Sequence, residues 1–279
     1  MEALVVDGWE VGNLLGSGHA GEVYMCTKKG KPSAVVKVVD LEKFKTLSKS
    51  AALQRMRAEV AIMSELNHRC VVQPFEAHCN NSTFLLIMSY APGITLDKIL
   101  LEPDLPGISE SRVLRIMRQL LRAVHHMHQR DIIHGDLKLE NIVVDSDNED
   151  KLKITDFGFS QHLLYLGTAR ALGWTECYAP PECHSHPYPI VSKEYDIWSC
   201  GVIMCVLLTG KLPLTMDDYK ALKDDRPVDI KIKVNCSSAA LEVLGAMLQI
   251  NSEDRMSAEE VLSLPFFCNS SRRLFFMQG

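Results

Sequence analysis

The hydrophobic pattern of this chain changes period once, and that change limits the folds open to it. From Trp9 to about Ala91 the residues read mainly as strands with one helix, and from Leu96 onward mainly as helices. Strands and helices segregated along a chain in this way build an α+β fold rather than an alternating parallel sheet. The expectation is a small mainly-β lobe over about residues 1–88, a larger mainly-α lobe over about 94–267, a connection at 88–93, and a short tail at 268–279. With 279 residues, 47% of them hydrophobic, the chain can fill two sizeable cores.

Charge and cysteine content narrow the partners. A net charge of −5 gives no reason to expect nucleic acid or an anionic membrane as a partner. No basic region precedes the short apolar run at Leu4–Val6, so no secretory signal is expected, and the apolar stretch near Ile197–Leu208 is too short and interrupted to cross a bilayer. Nine cysteines, scattered from Cys26 to Cys268, form no disulfide framework and suit a reducing cytoplasm or nucleus. Cys177, Cys183, His184 and His186 cluster, but their spacing matches no zinc finger or knuckle, so no metal is expected there.

The first lobe carries three features. Leu15-Gly16-Ser17-Gly18-His19-Ala20-Gly21-Glu22-Val23 places three glycines where a hairpin can approach phosphates without a Cβ in the way. A dinucleotide fold should open a helix at this point, whereas Glu22–Cys26 is a strand-like run. The β-branched run Ala34–Val39 reads as a buried strand; Lys37 within it either snorkels to the surface or, as its context favours, is buried and needs an anionic partner. Helical spacing of Leu53, Met56, Val60 and Met63 defines a core-facing stripe that Glu59 flanks, making Glu59 the expected partner of Lys37 and leaving Glu65 to solvent.

The second lobe carries His134-Gly135-Asp136-Leu137-Lys138-Leu139-Glu140-Asn141, followed by Asp156-Phe157-Gly158. This order supplies a base, a cation and two metal ligands, which is what phosphoryl transfer from a magnesium nucleotide requires. Two acidic surface turns flanking a strand would account for either motif alone, but not for the joint order and spacing.

These motifs resemble the H-R-D-x-x-x-x-N and D-F-G segments of protein kinases, and the resemblance extends over residues 9–267. It implies a two-lobed kinase fold whose first lobe holds one regulatory helix, with ATP and Mg2+ as cofactors and a protein as substrate. Asp136 would accept the substrate hydroxyl proton, Lys138 would offset charge on the transferring group, and Asn141 and Asp156 would hold magnesium. Lys37, paired with Glu59, would bind the α- and β-phosphates. Gly16, Ser17, Gly18, His19, Ala20 and Gly21 would cover the phosphates. Leu15, Val23, Val35 and Val143 would line the adenine site, with Met88 as gatekeeper and Ser89 and Ala91 giving backbone contacts. Thr175, three residues before Tyr178, and Lys138, two after Asp136, both match the serine/threonine class. Tyr178-Ala179-Pro180-Pro181-Glu182 is similar to the A-P-E segment with Pro180 in place of alanine, and Arg255 matches the arginine that pairs with Glu182. Asp196–Gly201 matches the start of a buried central helix, and Ser257–Glu260 has a capping-box pattern that should start the final helix.

Several positions depart from the pattern. Val35 replaces an alanine above the adenine ring, and Pro74 stands near an apolar position beneath the regulatory helix. Gly135 replaces the arginine that in many kinases pairs with a phosphate on the activation segment, so phosphorylation of Tyr165 or Thr168 is not expected to be the main switch. A regulatory protein partner is compatible with that. A pseudokinase scaffold is the alternative, and a small-molecule kinase a weaker one. His125, His126 and His128 are expected to be helix-face residues, and Asp145–Asp150 an exposed turn.

Overall fold

The computed structural model describes residues 5–18, 21–44, 48–100, 107–148, 150–166, 175–185, 189–224, 226–228, 230 and 236–268. The chain divides into two compact units, residues 1–92 with 156–158, and residues 93–155 with 159–279. The break at Pro92/Gly93 lies in the expected connection. That Asp156–Gly158 belongs with the first unit is not visible from chain order.

The first unit is a six-stranded antiparallel sheet with one helix. Its elements are β1 (Val5–Val6), β2 (Trp9–Gly18), β3 (Gly21–Thr27), β4 (Ala34–Asp40), α1 (Lys49–Glu65), β5 (Pro74–Cys79) and β6 (Thr83–Ser89). The spatial order is β1-β2-β3-β4-β6-β5, which makes β4 an interior strand and puts Lys37 opposite Val23 on one side and Leu86 on the other. Pro74 opens the edge strand β5, the position in a sheet where a residue without an N–H costs no ladder bond. Trp9, Cys26, Ala34, Val36 and Ile87 form a core cluster, and Phe75 stacks on Trp9 with ring centroids 6.3 Å apart.

Helix α1 is capped by Ser48, whose side chain accepts from the Ala51 N–H. Its buried face consists of Ala52, Met56, Glu59, Ile62 and Met63, while Leu53 and Val60 are half-buried. The expected stripe is therefore rotated: Glu59 does not flank the core-facing stripe but lies inside it. Glu65 is exposed.

The second unit contains β7 (Ile94–Thr95), α2 (Leu96–Ile99), α3 (Glu110–His128), β8 (Ile132–Ile133), β9 (Ile142–Asp145), β10 (Lys151–Ile154), β11 (Gln161–His162), α4 (Leu163–Leu166) and α5 (Pro181–Ser185). It continues with α6 (Lys193–Thr209), α7 (Met216–Lys223), α8 (Ser238–Met247), α9 (Ala258–Ser263) and α10 (Pro265–Cys268). Strands β10-β9-β7 form one small sheet, and β11 pairs with β8. Helix α6 is buried from Tyr195 to Leu208, and α3 packs Val113, Ile116, Met117, Leu120, Val124 and Met127 inward. Among the described residues, no helix is long and apolar enough to cross a membrane.

Two expectations need correction here. Ser257 and Glu260 do form a reciprocal capping box, but the helix it starts is followed by the short α10. Asp150 is not part of an exposed turn: it is 4% exposed, in a left-handed conformation at φ 55°, and accepts from Arg112 Nε at 2.9 Å and Arg115 Nη2 at 2.8 Å. Two guanidiniums three residues apart on α3 neutralise it, which local composition cannot reveal.

Candidate catalytic site

In the first unit the sheet and helix bring three of the predicted residues together. Lys37 Nζ lies 2.8 Å from Glu59 Oε1 and 3.1 Å from Asp156 Oδ1. Lys37 and Glu59 are 4% and 3% exposed, so neither charge could sit there unpaired without a large cost. Burial pulls the Lys37 pKa down, but the two carboxylates outweigh it and hold the ammonium well above its ordinary range. Asp156 has φ 56°, uncommon outside glycine, and the N–H of Gly158 donates to its Oδ1 at 3.3 Å. Arg55 of α1 donates from Nε to the Gly158 carbonyl at 3.0 Å.

The glycine segment lies at the β2–β3 end, where Gly16 pairs with Val23, Ser17 with Glu22 and Gly18 with Gly21. His19 and Ala20 lie outside the described residues. Leu15 is exposed and Val23 half-buried, whereas Val35 and Met88 are buried and face each other across β4 and β6. The Ser89 N–H donates to the Gln73 carbonyl at 2.8 Å. Ala91 is half-buried.

In the second unit Asp136, Lys138 and Thr175 form a closed triangle. Lys138 Nζ donates to Asp136 Oδ2 at 2.7 Å and to Thr175 Oγ1 at 3.0 Å, and the Thr175 hydroxyl donates to Asp136 Oδ1 at 2.8 Å. Asn141 Nδ2 donates to the Asp136 carbonyl at 2.8 Å and to Oδ2 at 3.2 Å. Val143 is half-buried on β9.

The support beneath this triangle comes mostly from residues whose roles local patterns do not announce. Asp196, fully buried at the start of α6, accepts from the His134 N–H at 2.9 Å, the Gly135 N–H at 3.0 Å and His128 Nε2 at 3.0 Å. Burial pushes its carboxyl up, yet the bond and charge of His128, with His134 and the Gly135 N–H, leave it below the usual carboxylate range. His128 is thus a buried partner of Asp196 rather than merely a helix-face residue. The turn carrying Thr175 is held by Ser199 Oγ donating to the Tyr178 carbonyl at 3.0 Å and by Tyr219 OH donating to the Cys177 carbonyl at 2.9 Å. The available signal was polarity inside apolar helices, since a buried charge or hydroxyl must find a partner. Arg255 meets Glu182 through two bonds of 2.7 Å and lies over the Trp198 ring at 5.1 Å.

Gly135 has φ 78°, and a Cβ there would come 2.8 Å from the Phe159 carbonyl oxygen. Substitution to alanine combines left-handed strain with that clash, and is expected to lower stability in urea unfolding by about 1–3 kcal/mol. Of the cysteine and histidine cluster, Cys183 is buried, which pushes its thiol up to about 12; His184 lies against the Tyr219 ring, and His186 is outside the described residues.

The protein kinase domain family matches residues 9–267 of this chain. The chain is 30% identical to mouse Aurora kinase C over 276 residues, covering 96% of this chain and 95% of that protein. It is 30% identical to CBL-interacting serine/threonine-protein kinase 18 of Arabidopsis thaliana, covering 93% of this chain and 49% of that protein. It is 35% identical to the serine/threonine-protein kinase grp of Drosophila melanogaster, covering 75% of this chain and 39% of that protein. The chain therefore spans nearly all of the first relative and half or less of the other two. It belongs to the protein kinase family and falls in its serine/threonine class.

Proposed function

We propose that the chain transfers the γ-phosphate of ATP to serine and threonine hydroxyls of protein substrates, with the predicted residues in the roles given above. One observation carries the reading: the triangle of Asp136, Lys138 and Thr175 sets a carboxylate, an ammonium and a hydroxyl within hydrogen-bond reach of one another. The Asp136 carboxylate takes the proton of the acceptor hydroxyl as its oxygen bonds to the γ-phosphorus and the bond to the β-phosphate oxygen breaks, leaving ADP. Lys138 stabilises the negative charge on the transferring group. Lys37, kept cationic by Glu59 and Asp156, orients the α- and β-phosphates.

Magnesium fits the donors assigned to it. The Asp156 carboxylate and the amide oxygen of Asn141, whose nitrogen is committed to Asp136, are the hard oxygen ligands this ion prefers. When bound, the ion offsets charge on the phosphate oxygens.

Control is proposed to be independent of a phosphate on the activation segment, because Gly135 offers no guanidinium and the Asp196 bonds already fix the backbone at that point. Thr168 lies outside the described residues, as does the Tyr165 side chain. Thr168→Ala is expected to keep the turnover of the parent chain, measured as phosphate transferred per minute; a many-fold rise on phosphorylating Thr168 or Tyr165, lost on mutation to alanine, contradicts this. A regulatory protein partner and a cytoplasmic or nuclear setting complete the proposal, the latter because nine free cysteines suit a reducing compartment. A peptide-array phosphorylation profile with Asp136→Ala as control tests the reading: signal on serine and threonine acceptors that vanishes in the variant supports it. Signal unchanged in the variant sinks it, and a chain silent on every acceptor, itself included, is the pseudokinase result.

A further inference from the structure

Helix α1 touches the Lys37 site at two points one turn apart. Glu59 reaches Lys37, and Arg55, four residues earlier on the same helix face, donates from Nε to the carbonyl of Gly158 at 3.0 Å. Gly158 is itself against the ion cluster, since a Cβ built there would lie 3.2 Å from Asp156 Oδ1, 3.8 Å from Glu59 Oε2 and 3.9 Å from Lys37 Nζ. The Arg55 guanidinium is half-buried, and its charge faces the carboxylates of Glu59 and Asp156.

We infer that Arg55 is a positioning residue that latches α1 to the Asp156-Phe157-Gly158 turn, holding Glu59 on Lys37 and fixing the direction of the Asp156 carboxylate. A guanidinium suits this work because its planar N–H groups are directional and stay charged, while the acceptor is a main-chain oxygen that every copy of the chain carries. The latch supplies from within the first unit an ordering contact that needs no phosphate. It explains how a chain with glycine at position 135 keeps its regulatory helix engaged, and it rests on the roles given above to Lys37, Glu59 and Asp156. Glu59 alone would leave the helix tethered at one point and free to pivot about it. Two tethers on one face fix both the rotation of the helix and its distance from the turn.

The test compares Arg55→Met, which keeps the apolar stem and removes charge and donors, with Arg55→Lys, which keeps the charge but not the planar fork. Lys37→Met serves as the control for the underlying reading. Arg55→Met is expected to lower kcat/KM for ATP about tenfold, the scale of one charge-assisted hydrogen bond, and to raise the KM for ATP. Arg55→Lys is expected to recover part of this. Hydrogen exchange should speed up in α1 and at residues 156–158 of Arg55→Met while the sheet amides keep their protection. Wild-type kinetics in Arg55→Met overturn the latch, and so does a loss of protection spread through the whole sheet, which marks a purely structural role. If instead Lys37→Met leaves transfer intact, the catalytic reading fails, and the latch built on it fails with it.

Discussion

Replacing Asp136 by asparagine is expected to lower phosphate transfer by about a hundredfold to ten-thousandfold, the range for loss of a positioned general base. Asparagine keeps the size of the side chain: its amide oxygen can accept from Lys138 while its NH2 donates to a Thr175 hydroxyl turned to accept, but it cannot take the proton of the acceptor hydroxyl. The loss should therefore appear in kcat, with little change in the KM for ATP, because no nucleotide contact is assigned to Asp136. A steady-state assay with a saturating protein substrate separates the two parameters. An equal fall in Lys37→Met expressed mainly through the KM for ATP would show that the two ion clusters serve different parts of the reaction.

Glu182→Ala is expected to lower the stability of the chain by about 3 kcal/mol or more. Arg255 has a side chain at 0% exposure, and Glu182 at 31% meets it through two bonds of 2.7 Å. Removing the carboxylate leaves a guanidinium in the interior whose other bonds, to the Gln249, Glu194 and Ile250 carbonyls, do not offset its charge. Removing both partners, as Glu182→Ala with Arg255→Met, should recover part of the loss because no unpaired charge remains. Thermal unfolding of the parent chain, Glu182→Ala and the double variant measures this. A double variant less stable than Glu182→Ala would mean that the arginine stem and its place over Trp198 matter more than the pair.

The change from strands to helices near residues 88–93 is legible in the sequence as a local signal, whereas the grouping of Asp136, Lys138 and Thr175 is implied there only by the resemblance to protein kinases. A lysine in a β-branched run either snorkels to the surface or is buried and paired, and Lys37 is buried and paired. A glycine hairpin followed by a strand rather than a helix marks its own geometry. The apolar periodicity of helix α1 points to one side of its buried face because Glu59 itself occupies that face: a carboxylate there weakens the periodicity, and Ala52 adds too little hydrophobicity to offset it. The remaining differences share one cause. Asp150 within an acidic run and His128 among three helix histidines acquire the charged partners of their side chains from residues 35 or more positions away. Burial of such groups depends on partners that only the fold assembles, so neither propensity nor composition can separate them from solvated neighbours.

The second unit also shows why glycine at 135 is compatible with a fixed main chain at this point of the loop. The Asp196 carboxylate accepts from both the His134 and Gly135 N–H groups, and Ser160 Oγ donates to the His134 carbonyl at 3.0 Å, so three side-chain bonds hold the main chain at His134 and Gly135. A left-handed backbone at φ 78° is where glycine is least strained, and the absence of a side chain there removes a clash rather than a support.

The most direct measurement is phosphate transfer from γ-labelled ATP with magnesium by the phosphatase-treated chain, with Asp136→Ala alongside. Label appearing on a serine or threonine of a protein substrate or of the chain itself, and absent in the variant, is the result expected of an enzyme whose active arrangement is set by its own side chains. No transfer from the dephosphorylated chain, restored only after phosphorylation of Tyr165 or Thr168, would contradict it.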